Sequence, residues 1–252
     1  MAKARSPRQI LSTLFSSLAR DTPQWILTRT LKSDNPMDIN GVLRGTATFT
    51  PLRDGESDTD LGESQGSEIE LVYREEGEIP ASADSGVSSP MSGLRWTKKY
   101  IWRLDEQGSQ MSVWFAKVGQ QKDEADYLFH KFKFKFKSDD QDNVPGRQDS
   151  DSRLDDAHPI ENGDDYISPV TPPLPLSMSP SVAAEDAGKG CDTTDTTVLI
   201  AYGDHLCVKD MYYTAYAFRI RSTGEVVSWS SRHIVKGPRK NQDIVNLYER
   251  GG

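Results

Sequence analysis

Residues 129–138 read FHKFKFKFKS. From His130 onward the stretch alternates: His130, Phe132, Phe134 and Phe136 share one face of an extended chain, and Lys131, Lys133, Lys135 and Lys137 share the other. One reading is a basic, aromatic-interleaved strand that grips nucleic acid. The other is a strand of a closed sheet, with phenylalanines inward and lysines in water, where they also discourage edge pairing. The charge distribution favours the second. The chain's formal net charge is −8, but residues 139–196 hold fourteen Asp or Glu against three Lys or Arg, so the remainder sums to +3. Phosphate neutralisation requires a concentrated basic face, so no nucleic-acid partner is expected.

The same period of two recurs on both sides of this stretch. WILTRTL (25–31) places Trp25, Leu27 and Arg29 on one face, and GVLRGTATF (41–49) does the same with Leu43, Gly45, Ala47 and Phe49. Further segments at 68–77, 94–104, 110–118, 127–137, 197–206, 211–221, 225–236 and 244–250 bring the tally to about ten strands. No helical pattern lies between them, and turns such as DEQGS and RSTGE are short, which points to an antiparallel meander. Ten antiparallel strands seldom stay open. The expected fold is therefore mainly β, an about ten-stranded up-and-down barrel with room for a small ligand, the alternative being a β-sandwich.

One helix is expected before the strands, at 7–20. Ser6, Pro7 and Gln9 form a capping box with proline at the first helical position, and Ile10, Leu11, Leu14, Phe15 and Leu18 make one apolar stripe. Residues 1–20 also have the Arg- and Ser-rich, acid-free composition of a mitochondrial presequence; packing as a helix is the other reading. The 252 residues read as a single domain, with the barrel at 24–137 and 197–250. Stretches 53–66 and 80–93 read as loops, and 138–196 as a disordered, acidic, proline-rich insert. Within it, ISPVTPPLPLSMSP should sample polyproline II, and Ser168, Thr171 and Ser179 each precede a proline, as a proline-directed kinase requires. Protein partners are expected, if anywhere, through this insert. No apolar run reaches the ~20 residues that cross a bilayer as a helix, and the expected compartment is the cytoplasm.

GDHLCVKDMYY (203–213) concentrates polar chemistry. If 207–210 form the hairpin loop, His205 stands opposite Tyr212, on the face that carries Gly203, Thr214, Ala201 and Tyr216. A zinc site would need four ligands, and the second cysteine, Cys191, lies in the insert, so no metal is expected. Cys207 as a nucleophile would need an oriented base, for which His205 two residues away is badly placed. There remain a hairpin whose histidine is satisfied by Tyr212 or backbone, and a polar group at a pocket mouth. In LVYREEGEIP (71–80), Tyr73 and Glu75 follow Leu71 inward, where Arg29 is available as a partner. Such an internal pair is either structural or the anchor for a ligand's carboxylate or carbonyl. In VKGPRK (235–240), Gly237 and Pro238 make a turn that orders the last strand, not a phosphate loop.

Trp25-x-Leu27-x-Arg29, Gly41-x-x-x-Gly45-x-Ala47-x-Phe49-x-Pro51, Tyr73-x-Glu75-x-Gly77, Tyr100-x-Trp102, Phe129-His130, His205-x-Cys207-x-x-Asp210-x-Tyr212, Val235-x-Gly237-Pro238-Arg239-Lys240 and Tyr248-x-Arg250, taken in order, resemble the domain-of-unknown-function family numbered 6314, found in bacteria and fungi. The resemblance runs from Trp25 to Arg250 without the insert, which a fungal member would carry. It implies no activity. The layout is similar to that of the calycins, the lipocalin and fatty-acid-binding barrels, in which a first-strand tryptophan packs on a last-strand arginine. Trp25 and Arg250 would be that pair, although Pro23 stands where such barrels usually have glycine.

The sequence thus suggests a lumen that binds a small, largely apolar molecule without a cofactor, oriented by Arg29, Tyr73, Glu75, His130, His205, Tyr212 and Trp229. Trp25, Arg250, Asp210, Gly237 and Pro238 are assigned structural roles. The alternatives are an enzyme using His205 or His130 as general acid/base, assisted by Tyr212 or Glu75, and a scaffold that recruits partners through the insert.

Overall fold

The computed structural model describes residues 5–20, 24–52, 68–79, 93–136, 167–175, 196–238 and 240–251. Helix α1 (Pro7–Leu18) is followed by β1 (Trp25–Ser33), β2 (Gly41–Pro51), β3 (Ile69–Glu78), β4 (Arg95–Leu104), β5 (Met111–Ala116), β6 (Ala125–Lys131), β7 (Lys133–Lys135), β8 (Thr196–Cys207), β9 (Asp210–Arg221), β10 (Val226–Lys236) and β11 (Asn241–Arg250). All pairings are antiparallel, in the order β6-β5-β4-β3-β2-β1-β11-β10-β9-β8-β7. The two ends of that order are consecutive in the chain, so the sheet curls into a nearly closed barrel.

Closure occurs at the FHKFKFKFKS stretch. Expected as one continuous strand, it is interrupted at Phe132. Its first half pairs with β5 (Val113 opposite His130), and its second half pairs with β8 (Lys133 opposite Tyr202). At the crossing point Phe132 N–H donates to Met111 O at 2.9 Å, and the Gln110 amide reaches Phe132 O at 2.8 Å. The alternation survives the interruption: Phe132 is buried, while Lys131, Lys133 and Lys135 are exposed. Counting β6 and β7 as one kinked strand gives ten, and the sandwich alternative is discarded.

The core is the barrel interior, closed at one end by α1. The capping box forms as the sequence implies, and Leu11, Leu14, Phe15 and Leu18 are buried. Trp25 donates its indole N–H to Leu18 O at 3.3 Å, joining helix to barrel. Arg250, the cross-strand partner of Trp25, lies 4.1 Å over its ring and donates to Ser17 O and Arg20 O. The Trp25/Arg250 pair therefore exists and ties the first and last strands to the helix end.

One part of the insert differs from expectation. Residues 167–175 run along the outer face of β8–β10 instead of being disordered. Ile167 is buried against Tyr202 and Ala215. Arg219 donates to the carbonyls of Pro172 and Pro173, Ser228 to Pro173 O, Ser230 to Val170 O and Arg232 to Ser168 O. Ser228 and Ser230 point away from the lumen yet have no exposed surface, because this strap covers them. A proline-rich strap docks on side chains rather than as another strand, since β9 and β10 already use their backbone groups on both sides. Ser168 and Thr171 stay exposed on it. Ser179, Cys191, the remainder of the insert and the two loop stretches (53–66 and most of 80–93) lie outside the described residues.

Candidate functional site

Period-two alternation sends one side chain in two into the lumen, and in the half of the barrel away from α1 these are polar. Arg29 on β1 lies opposite Asn246 on β11, which in turn faces Ser231 on β10. Arg29 Nη2 donates to both oxygens of Glu75, at 2.7 and 2.8 Å, and its Nε donates to Asn246 Oδ1 at 2.6 Å. Tyr248 and Tyr73 hydroxyls meet at 2.9 Å, and Tyr73 donates onward to Glu75 Oε2 at 2.7 Å. Asn246 Nδ2 donates to Ser231 Oγ at 2.8 Å, and Ser231 Oγ lies 3.2 Å from His233 Nε2. One network thus links β1, β3, β10 and β11, and Arg29 and Glu75 are only 5% and 1% exposed along their side chains.

Burial sets the charge states. It opposes the Arg29 guanidinium, but Glu75 overrides that cost and raises its pKa. Desolvation together with the Glu75 carboxylate lifts the Tyr73 and Tyr248 phenols well above their usual range, and Tyr100 is pushed up to about 12. His233 is driven well down, by burial first and by His130, Lys98 and Arg29 after it. It is neutral, and the tautomer decides which group donates in its 3.2 Å contact between Nε2 and Ser231 Oγ.

Above the network lies a cavity of about 100 Å³. Its floor is the polar set just described, and its walls are Tyr100, Trp102, Phe129, Tyr216 and Trp229. Trp229 and Tyr248, cross-strand partners, stack face to face with centroids 3.5 Å apart and planes 2° from parallel. Trp229 Nε1 is buried with no hydrogen-bond partner. Lys98 and Tyr212 stand on the solvent side. Lys98 Nζ lies 3.8 Å from Glu75 Oε1, and although ringed by protein its side chain is 45% exposed. Desolvation and the Arg29 charge lower its pKa to about 8, against the pull of Glu75.

Two facing glycines have no room for a side chain, and Trp96 accounts for the first. Its ring rests on Gly77, where a Cβ would come within 2.5 Å of the indole, and the Arg29 guanidinium sits 4.9 Å over that ring. Gly45, opposite Gly77, has no room for a Cβ either: the Glu76 carbonyl oxygen would be 2.2 Å away. These two positions let neighbouring strands approach closely beside the buried ion pair.

Of the residues the sequence nominated, Arg29, Tyr73, Glu75, Tyr212 and Trp229 line the cavity; His130 and His205 do not. His130 does face inward, but a bulge intervenes. Val113 and Trp114 on β5 face His130 and Leu128, so Phe129 is the extra residue on β6, and Phe129 and His130 both turn inside. Phe129 takes the wall position and His130 is packed behind it among Phe129, Phe132 and Tyr216. Neither imidazole nitrogen has a hydrogen-bond partner, and burial, then the neighbouring His205, lowers its pKa to about 3. His205 stands opposite Tyr212 as the hairpin register requires, with ring centroids 6.3 Å apart. Tyr212 is hydrogen-bonded by Lys240 at 3.1 Å instead, and His205 engages the Phe129 backbone. Neither histidine is positioned to exchange a proton with a molecule in the cavity.

The hairpin is also tighter than a four-residue loop, since Cys207 pairs with Asp210 and only Val208 and Lys209 turn. Val208 takes a φ of 58°, unusual for a β-branched residue. Gly237 packs on Asp210, where a Cβ would meet Oδ1 at 1.8 Å, and Gly237 N–H closes the turn onto Lys240 O. Asp210 and Gly237 thus sit in close contact, with Pro238 in the same turn as Gly237. No group of three or more His, Cys, Asp or Glu side chains capable of holding a metal occurs among the described residues, and no described helix is long and apolar enough to cross a membrane.

Sequence reasoning passed over Lys98, Ser231, His233 and Asn246 as site residues. Each stands two or four positions from an inward aromatic: Lys98 before Tyr100, Ser231 and His233 after Trp229, Asn246 before Tyr248. Extending the alternation past the aromatics would have found them.

Neither the comparison with curated proteins nor that with solved structures gives a match. The sequence model of the Family of unknown function (DUF6314) matches residues 22–155 and 189–250, which is most of the chain and includes every strand that builds the cavity. The chain therefore belongs to the DUF6314 family.

Proposed function

We propose that this protein binds a small, largely apolar molecule in the barrel lumen, polar end on the Arg29/Glu75 network and flat body between the aromatic walls. The observation that supports it is the cavity itself: an aromatic-walled space of about 100 Å³ over an internally hydrogen-bonded polar network, reaching solvent beside Lys98. Pre-paired polar groups next to apolar walls orient a ligand without reorganising. The size restricts the enclosed part of a ligand to roughly one ring, since an apolar cavity of ~150 Å³ accommodates benzene. Catalysis by His130 or His205 lacks the geometry, because both stand outside the cavity lining.

Native mass spectrometry of protein purified from its own host tests this. The expected result is a small-molecule adduct that is lost in a Val113→Phe variant, in which a lumen-facing side chain fills the cavity. An adduct retained by that variant, with its fold intact, would place binding elsewhere.

A further inference from the structure

We propose that the ligand carries a single negative charge, a carboxylate or an equivalent monoanion, held between Lys98 and Arg29. This rests on the lumenal binding reading above and names its ligand class.

Charge is unbalanced between the buried Arg29/Glu75 pair and Lys98 at the solvent side of the cavity, whose side chain is 45% exposed. The ionisable side chains lining the cavity are Arg29, Tyr73, Glu75, Lys98, Tyr100, Tyr212, Tyr216, His233 and Tyr248. Tyrosines are neutral at pH 7. His233 is neutral through burial. Two cations, Arg29 and Lys98, therefore face one anion, Glu75. The Glu75 oxygens are already occupied by Arg29 Nη2 and the Tyr73 hydroxyl at 2.7–2.8 Å, so Lys98 stays at 3.8 Å, beyond hydrogen-bonding distance. Arg29 Nη1 likewise has no acceptor among the described residues, its Nε and Nη2 being engaged.

Acids nearer the rim are already hydrogen-bonded to their own lysines: Asp123 to Lys99 at 2.6 Å and Glu124 to Lys117 at 2.5 Å. A surplus positive charge in a partly desolvated site is costly. A neutral ligand leaves it, a cation worsens it, and an anion cancels it. Desolvation first, and the Arg29 charge after it, already weaken the hold of Lys98 on its proton in the ligand-free protein. The aromatic walls then select an anion with a flat apolar body over a fully hydrated one.

The experiment titrates the full chain with benzoate, benzamide and benzylamine, which share a ring and differ in charge, following tryptophan fluorescence and confirming by calorimetry. At pH 7 benzoate should bind at least roughly tenfold more tightly than benzamide, and benzylamine least. Lys98→Met should erase the preference, and Lys98→Arg should keep it. Because Lys98 loses its charge as pH rises through about 8, the benzoate preference should decline between pH 7 and pH 10. Glu75, Arg29, His233, Tyr100 and Tyr212 line the cavity with Lys98; of these, Arg29 with its raised pKa stays charged, Tyr100, pushed up to about 12, keeps its proton, and His233, driven down by burial, stays neutral across that window. Benzamide binding as tightly as benzoate, or a preference that survives Lys98→Met, overturns the charge assignment while leaving lumenal binding standing. Failure of all three probes to bind overturns both.

Discussion

Replacing Glu75 by alanine is the severest single test of the lumen's electrostatic design. The carboxylate accepts two hydrogen bonds from Arg29 and one from Tyr73, all within 2.8 Å, and its side chain is 1% exposed. Alanine removes all three and leaves a guanidinium in a desolvated space beside a second cation, Lys98. Removing one partner of a buried pair typically costs about 3–5 kcal/mol, since the remaining charge keeps its desolvation penalty. At about 2–4 °C per kcal/mol for a chain of this size, the melting temperature should fall by roughly 6–20 °C. Urea unfolding followed by tryptophan fluorescence gives the free energy directly. The companion variant Arg29→Met/Glu75→Leu, which exchanges the pair for apolar groups of similar volume, should be more stable than Glu75→Ala, because no buried charge is left uncompensated and the remaining cation, Lys98, is 45% exposed to water. A cost below about 1 kcal/mol for Glu75→Ala, the range of solvent-exposed pairs, would refute the reasoning. So would a double variant whose loss is the sum of the two single losses.

Other expectations concern single positions. His130 has a pKa near 3 in the folded chain against about 6.5 in an unfolded one, so the folded state binds fewer protons in that interval. Its contribution to stability is complete above pH 6.5 and drains away as pH falls toward 3. Denaturation midpoints at pH 7 and pH 5 should therefore differ less in His130→Leu than in the parent, and equal slopes would mean that His130 is solvated. Gly45→Ala should destabilise by about 1–3 kcal/mol through overpacking against the Glu76 carbonyl, read from the urea midpoint; a neutral result would contradict the close approach of β2 and β3. The pair Ile167→Asp and Arg219→Ala should release the strap, seen as faster hydrogen exchange in 167–175, while barrel amides keep their protection. Loss of barrel protection would show that the strap supports the fold rather than merely covering it.

Period two, read along single segments, was enough to establish the strands, their inward faces and the lone helix with its capping box. It also brought Arg29 to Glu75 and His205 opposite Tyr212. These are consequences of local alternation and of hairpin register, both of which survive translation into three dimensions almost unchanged. The pairing of Trp25 with Arg250 was implied by the resemblance to the calycin barrels. The outward faces of β8 and β9 also carried a legible signal: Ile200, Tyr202, Tyr213, Ala215 and Ala217 are apolar where water was expected, and the strap covers that face.

What only the tertiary structure decided are the features that depend on counting around the ring. One residue inserted opposite Val113 and Trp114 moved Phe129 into the cavity wall and His130 behind it, and a one-residue slip is invisible to composition and periodicity alike. The interruption at Phe132 arises because one strand must pair with β5 at one end and β8 at the other to close the barrel. The meeting of Arg29, Glu75, Lys98, Asn246 and His233 in one network likewise required strand order and stagger. Alternation tells which side chains enter a lumen, and the geometry of closure decides which of them meet there.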